Sequence, residues 1–144
     1  MAKPGQSRQS GADSPLIRIC LGVLGLSALA LGIPASFVPE TFYTDYPFFT
    51  ALVSLLPPYN EHLITDVGGM YLAFGVIFIW AMVRPTRQLI VPVCAGWIVA
   101  QTLHFAFHIS NLTGFTTTEA VTQQIGLAIY IVVALIPIAI LRRS

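Results

Sequence analysis

Four long stretches of this chain carry no Asp, Glu, Lys or Arg: residues 19–39, 67–83, 88–118 and 120–141. Nothing else in the sequence narrows the fold so far. A helix needs about 20 residues to cross the hydrocarbon of a bilayer, and a chain in lipid must satisfy its backbone hydrogen bonds internally. The expected fold is therefore all-α, an integral membrane four-helix bundle with spans near 16–36, 61–83, 88–112 and 119–141. The second span reaches full length only if it starts at Glu61. That start draws the polar run "YNEHLITDVGG", residues 59–69, inside the membrane boundary.

Composition agrees with lipid as the solvent. Hydrophobic residues make up 56% of the 144 and charged residues 9%, against about 25% charged in soluble domains. The length suits one domain, and a net charge of +1 gives no reason to expect a nucleic-acid partner.

The distribution of charge sets an expected orientation. Lys3, Arg8 and Arg18 precede the first span, Arg84 and Arg87 lie between the second and third, and Arg142 and Arg143 follow the fourth. With four spans, all seven basic residues fall on one side. Glu40, Asp45, Glu61, Asp66 and Glu119 fall on the other, with Asp13 the exception. The positive-inside rule then puts both termini in the cytoplasm (N-in/C-in) of a multi-pass cell-membrane protein. A rival reading makes residues 1–35 a cleaved signal peptide, but the apolar run exceeds the usual length of about 7–15 residues.

Residues 1–15, rich in Gly, Ser and Pro, read as a disordered tail. The connection before the second span holds "YPFFTALVSLLPP", too short to span, and residues 46–57 read as a short interfacial helix. Trp80 suits the aromatic belt at a membrane surface, and Pro137 would kink the last span. Asn111-Leu-Thr113 matches a glycosylation sequon but lies too near the membrane to weigh. Cys20 and Cys94 lack metal-type spacing and read as small apolar packing residues.

Antiparallel second and third spans bring two polar pairs to one depth. His62 and Asp66 are four residues apart on the second span, with Gly69 and Ala73 continuing that side in a spacing that admits a neighbouring helix. On the third, Trp97, Gln101, His104, His108 and Asn111 form one stripe, which should face inward because lipid offers no hydrogen bonds. Gln123 and Gln124 of the fourth span reach similar depth, and Tyr130 lies two turns below Gln123. An ionised Asp at mid-membrane costs about 2.5–3.5 kcal/mol, so the group calls for a purpose.

Three chemistries suit these residues. His62, Asp66, His104 and His108 would make a three-His, one-carboxylate set for zinc, iron or copper, with Glu61 at its rim. Asp66 and His104 would alternatively act as acid and base on a quinone, sterol or isoprenoid, oriented by Gln101, Gln123 and Tyr130. Haem held by histidines of two helices ranks last, since Asp66 would be an unusual neighbour. Against all three stands a hydrogen-bond network that only fixes helix register.

The stretches "NEHLITDVGGMYLAFG" and "LHFAFHISNL" resemble those of small bacterial four-helix membrane proteins, themselves loosely DoxX-like. The resemblance covers about residues 16–141 and implies the same architecture. DoxX is associated with thiosulfate:quinone oxidoreduction, so the likeness implies quinone-linked redox only through architecture, and no catalytic residue carries over. The leading expectation is metal- or cofactor-dependent redox or acid–base chemistry on a lipid-soluble or periplasmic small molecule. The alternative is a non-enzymatic accessory or assembly subunit, partnered by other membrane subunits or by copies of itself.

Overall fold

A computed structural model describes residues 11–46, 52–56 and 58–143. Its helices are α1 (Pro15–Phe37), α2 (Pro39–Asp45), α3 (Glu61–Val83), α4 (Arg87–Ser110) and α5 (Thr117–Arg143), with a 3-10 turn at Val53–Leu55. Helices α1, α3, α4 and α5, of 23 to 27 residues, are long and apolar enough to cross a membrane. At about 1.5 Å per residue each exceeds the roughly 30 Å of hydrocarbon. These are the marks of a multi-pass membrane protein.

Local chemistry sets the helix ends. Pro39 disfavours helical backbone at Val38, where α1 stops, and itself starts α2. Asn60 caps α3 by accepting from the Leu63 N–H at 3.1 Å, and Glu61 complements the positive end of the helix dipole. Gly114, at φ 91°, turns the chain before α5. There Thr116 and Glu119 form a capping box: the Glu119 carboxylate accepts from the Thr116 N–H at 2.8 Å, and the Thr116 hydroxyl from the Glu119 N–H at 3.3 Å.

The long helices pack chiefly in two pairs, α1 on α3 and α4 on α5, with α1 also against α5. Helices α3 and α4 follow one another through residues 84–86 yet approach less closely. The α1–α3 contact is a close approach of backbones. A Cβ on Gly68 would lie 2.5–2.8 Å from atoms of Ser36 and Ala35, and one on Gly32 would lie 2.8 Å from the Leu72 nitrogen. Gly25 and Gly75 are similarly crowded. In lipid such contact is the main source of helix–helix attraction, because burying apolar surface gains little there.

An arginine in the first turn of one helix clasps the last turn of its partner in each pair. Arg18 donates to the Met82 carbonyl at 2.6 Å and pairs with Asp13 at 2.5 Å. Arg87 donates to the Leu141 carbonyl at 2.5 Å. These contacts mark one end of the molecule as basic, and Glu40, Asp45, Glu61 and Glu119 mark the other as acidic. Toward the basic end the core is apolar, with Leu21, Leu24, Phe78, Ile90, Cys94 and Leu141 buried.

Two expectations are adjusted and one element is added. The folded part begins before residue 15, since Ala12 is buried and Asp13 ion-paired; residues 1–10 of the expected tail lie outside the described residues. Helix α2 was not foreseen. Of the expected interfacial helix at 46–57, residues 47–51 and 57 lie outside the described residues, and Val53–Leu55 is a 3-10 turn.

Candidate functional site

The α4 stripe points inward. Trp97 and Gln101 are each 2% exposed and His108 4%. His104 is half-buried, and Asn111 is exposed, its side chain bound to the Phe107 carbonyl. Toward the acidic half, where α3 and α4 part, lies a cleft of 160 Å³. Val67, Tyr71 and Phe74 line it from α3, and Trp97, Gln101 and His104 from α4. All its lining groups are formally uncharged when the histidine is neutral.

Aromatic edges fix the floor of this cleft. The Trp97 ring meets Tyr71, Phe74 and Phe78 edge-on at centroid distances of 5.2–5.4 Å and Tyr130 at 6.4 Å. The Gln101 amide donates to the Tyr71 hydroxyl at 3.0 Å, which leaves the phenolic hydrogen of Tyr71 available to donate. Two buried atoms of these lining residues have no partner among the described residues: the indole nitrogen of Trp97, a donor, and the carboxamide oxygen of Gln101, an acceptor. Each such orphan costs about 1–3 kcal/mol, and both belong to residues that line the cleft.

Beyond the cleft the polar lining continues toward the acidic end. The His104 and His108 rings are T-shaped at 4.5 Å. Gln123 of α5 approaches the His108 ring as a hydrogen-bonding neighbour, yet His108 Nδ1 and Gln123 Oε1 each lack a partner at hydrogen-bond distance, as do both amide atoms of Gln124. Tyr46, at the end of α2, comes near Tyr71 and Tyr130. Burial pushes its phenol up from the ordinary tyrosine value, helped by the Tyr130 and Tyr71 phenols nearby. The connection between the first two long helices thus brings a side chain near the tyrosines of α3 and α5.

His62 and Asp66 lie elsewhere. They pair with each other at 3.3 Å, with side chains 88% and 60% exposed. Asp66 does not line the cleft; Val67, one residue on and about 100° round the helix, does. Among the described residues no three His, Cys, Asp or Glu side chains converge to hold a metal ion. The expected ligand set of His62, Asp66, His104 and His108 is therefore not assembled, and the paired acid–base role of Asp66 with His104 loses its partner. The cause is the rotation of α3. Gly68 and Gly75 must face α1, which turns the neighbouring His62–Asp66–Gly69–Ala73 face outward. Gly69, expected to admit a neighbouring helix, has nothing within 4 Å of a Cβ placed on it.

Sequence reasoning passed over Tyr71, although a signal was present: a tyrosine at mid-span needs a partner for its hydroxyl. Tyr46 gave no comparable signal, because its placement depends on the fold of the connection. A scan against protein-family models, a search of curated proteins and a search of solved structures each find no match to this chain.

Proposed function

We propose that this protein is an N-in/C-in four-helix membrane bundle that binds the polar ring of a neutral, lipid-soluble molecule in the α3–α4 cleft. The observation that carries the reading is a 160 Å³ cleft lined by Trp97 and Gln101, two residues that each keep a buried polar atom without a partner among the described residues. An engineered cavity of about 150 Å³ holds one benzene ring, so the space suits a single six-membered ring. It is too small for the fused rings of a sterol. The edges of Tyr71, Phe74 and Trp97 favour a flat ring, and the lack of a lining cation disfavours an anionic head. The unpaired donor of Trp97 and acceptor of Gln101, both residues of the cleft lining, would suit a ring bearing carbonyl or hydroxyl oxygens, as in a quinone or its quinol. The tail would leave past Met70, which is 61% exposed at the cleft. His104, which lines the cleft, would exchange a proton with a ring hydroxyl.

Ubiquinone-1 titrated into the Trp80→Phe protein tests this, because Trp97 is then the sole tryptophan reporter. Saturable quenching is expected, weakened about tenfold by Gln101→Leu through loss of one hydrogen bond to the ligand. Quenching that never saturates, or that ignores Gln101→Leu, would sink the reading. The competing view, a structural network in a non-enzymatic subunit, draws on the Gln101–Tyr71 bond between α3 and α4. It expects Gln101→Leu to lower stability by about 1 kcal/mol and the quinone to have no saturable effect.

A further inference from the structure

Ring binding in the cleft gives His104 a role and leaves His108 without one. His108 is only 4% exposed, although Ser110, the last residue of α4, is two residues on, about 3 Å along the axis. It is therefore buried close to the acidic end, where water is near. Its ring and that of His104 have centroids 4.5 Å apart. From α5, Gln123 comes near the same ring. The contact is not direct: His108 Nδ1 and Gln123 Oε1 are both buried, and neither has a partner among the described residues. A polar contact just beyond direct reach, with both atoms unpaired, is the geometry that one water bridges. Water donates to the Gln123 oxygen, and donates to or accepts from Nδ1 according to the tautomer of the histidine. Both amide atoms of Gln124, the next residue of α5, are also buried and unpaired among the described residues. Glu119 stands one turn nearer the acidic end on the Gln123 side of α5.

We propose that His108 is a proton relay, joining His104 to the solution at the acidic end through a water bound between the His108 ring and Gln123. Histidine suits the step because its two ring nitrogens are distinct, so it takes up a proton on one side and releases one on the other. The bridging water gives a proton to Nδ1, and His108 becomes an imidazolium. The proton on Nε2 then passes to His104, which leaves His108 neutral in its other tautomer. The bridging water regains its proton from the solution at the acidic end, and a turn of the His108 ring resets the relay. The reverse sequence carries a proton from His104 to the acidic end. Buried histidines in spanning helices serve in such proton chains. The inference rests on the reading of the cleft only for the last step, transfer from His104 to an oxygen of the bound ring.

The test follows exchange of the histidine ring N–H protons with water, by magnetic resonance of the full-length protein in phospholipid bilayers, isotope-labelled on its histidine nitrogens and without quinone. In wild type the His108 ring proton is expected to exchange at least as fast as that of His104, since it stands nearer the water on the path. Slower exchange at His108 overturns the relay without any variant. His108→Phe is expected to slow exchange at His104 about tenfold, the scale of one lost hydrogen-bonded link. Gln123→Leu, which removes the bridge and keeps both rings, is expected to do the same. His62, with its side chain 88% exposed, should keep its rate in both. A role in packing alone predicts the opposite, because loosened helices open locally and speed exchange. Gln123→Leu decides if His108→Phe fails to fold. An unchanged or faster rate at His104 in either folded variant overturns the proposal. Because no quinone is present, failure of the relay leaves ring binding to be judged by the quenching titration, and failure of that titration leaves the relay to be judged by these rates.

Discussion

One methyl group separates Gly68 from alanine, and the packing of α1 leaves no room for it. Two of the three nearest atoms are backbone atoms of Ser36 and Ala35, which cannot swing aside as a side chain could. Gly68→Ala is expected to destabilise the protein by about 1–3 kcal/mol, the usual range for overpacking. Gly69→Ala, one residue away and open, is expected to be neutral or to stabilise by about 0.5–1 kcal/mol through helix propensity. Denaturation of both variants in detergent compares them directly, and equal effects would contradict the rotation of α3 described above. The adjacent glycines also explain a misreading at this scale. Nothing in the local sequence says which of the two meets another backbone, and the choice of Gly69 placed His62 and Asp66 on the wrong side. The α4 stripe was easier to read, since nearly every polar group of that helix lies on one face and lipid accepts none of them.

At the scale of elements, the spanning helices begin and end within two residues of the bounds expected from hydropathy. Their ends are held by groups that hydropathy does not weigh. Arg87 satisfies a carbonyl in the last turn of α5 and places a cation at its negative end. Arg87→Met is expected to lower stability by about 1 kcal/mol, as is Thr116→Ala, which removes the capping box at the other end of α5. Thermal unfolding in detergent measures both, and an unchanged midpoint in either variant would discount that contact. Helix α2 escaped notice because its seven residues are too few for a hydropathy period to emerge from a Pro- and Tyr-rich stretch. Its consequence, Tyr46 near Tyr71 and Tyr130, was therefore hidden too.

For the molecule as a whole, the two ends differ in charge far more than the net +1 suggests. If orientation follows that asymmetry, green fluorescent protein fused after Arg143 should fluoresce in cells and alkaline phosphatase fused there should be inactive. The reverse pattern would invert the membrane topology and open the cleft toward the cytoplasmic leaflet. The sequence by itself determined the number and limits of the spanning helices, the charge asymmetry of their ends and the inward face of α4. Each follows from one-dimensional properties, such as length, hydropathy and the 3.6-residue period, acting on a single helix in lipid. Only the tertiary structure decided how α3 is rotated about its axis, and with it that Tyr71 shares the cleft while His62 and Asp66 face outward. That angle comes from the fit of Gly68 and Gly75 against the backbone and side chains of α1. A contact between two helices depends on the shapes of both surfaces, and the period of either helix alone does not contain it.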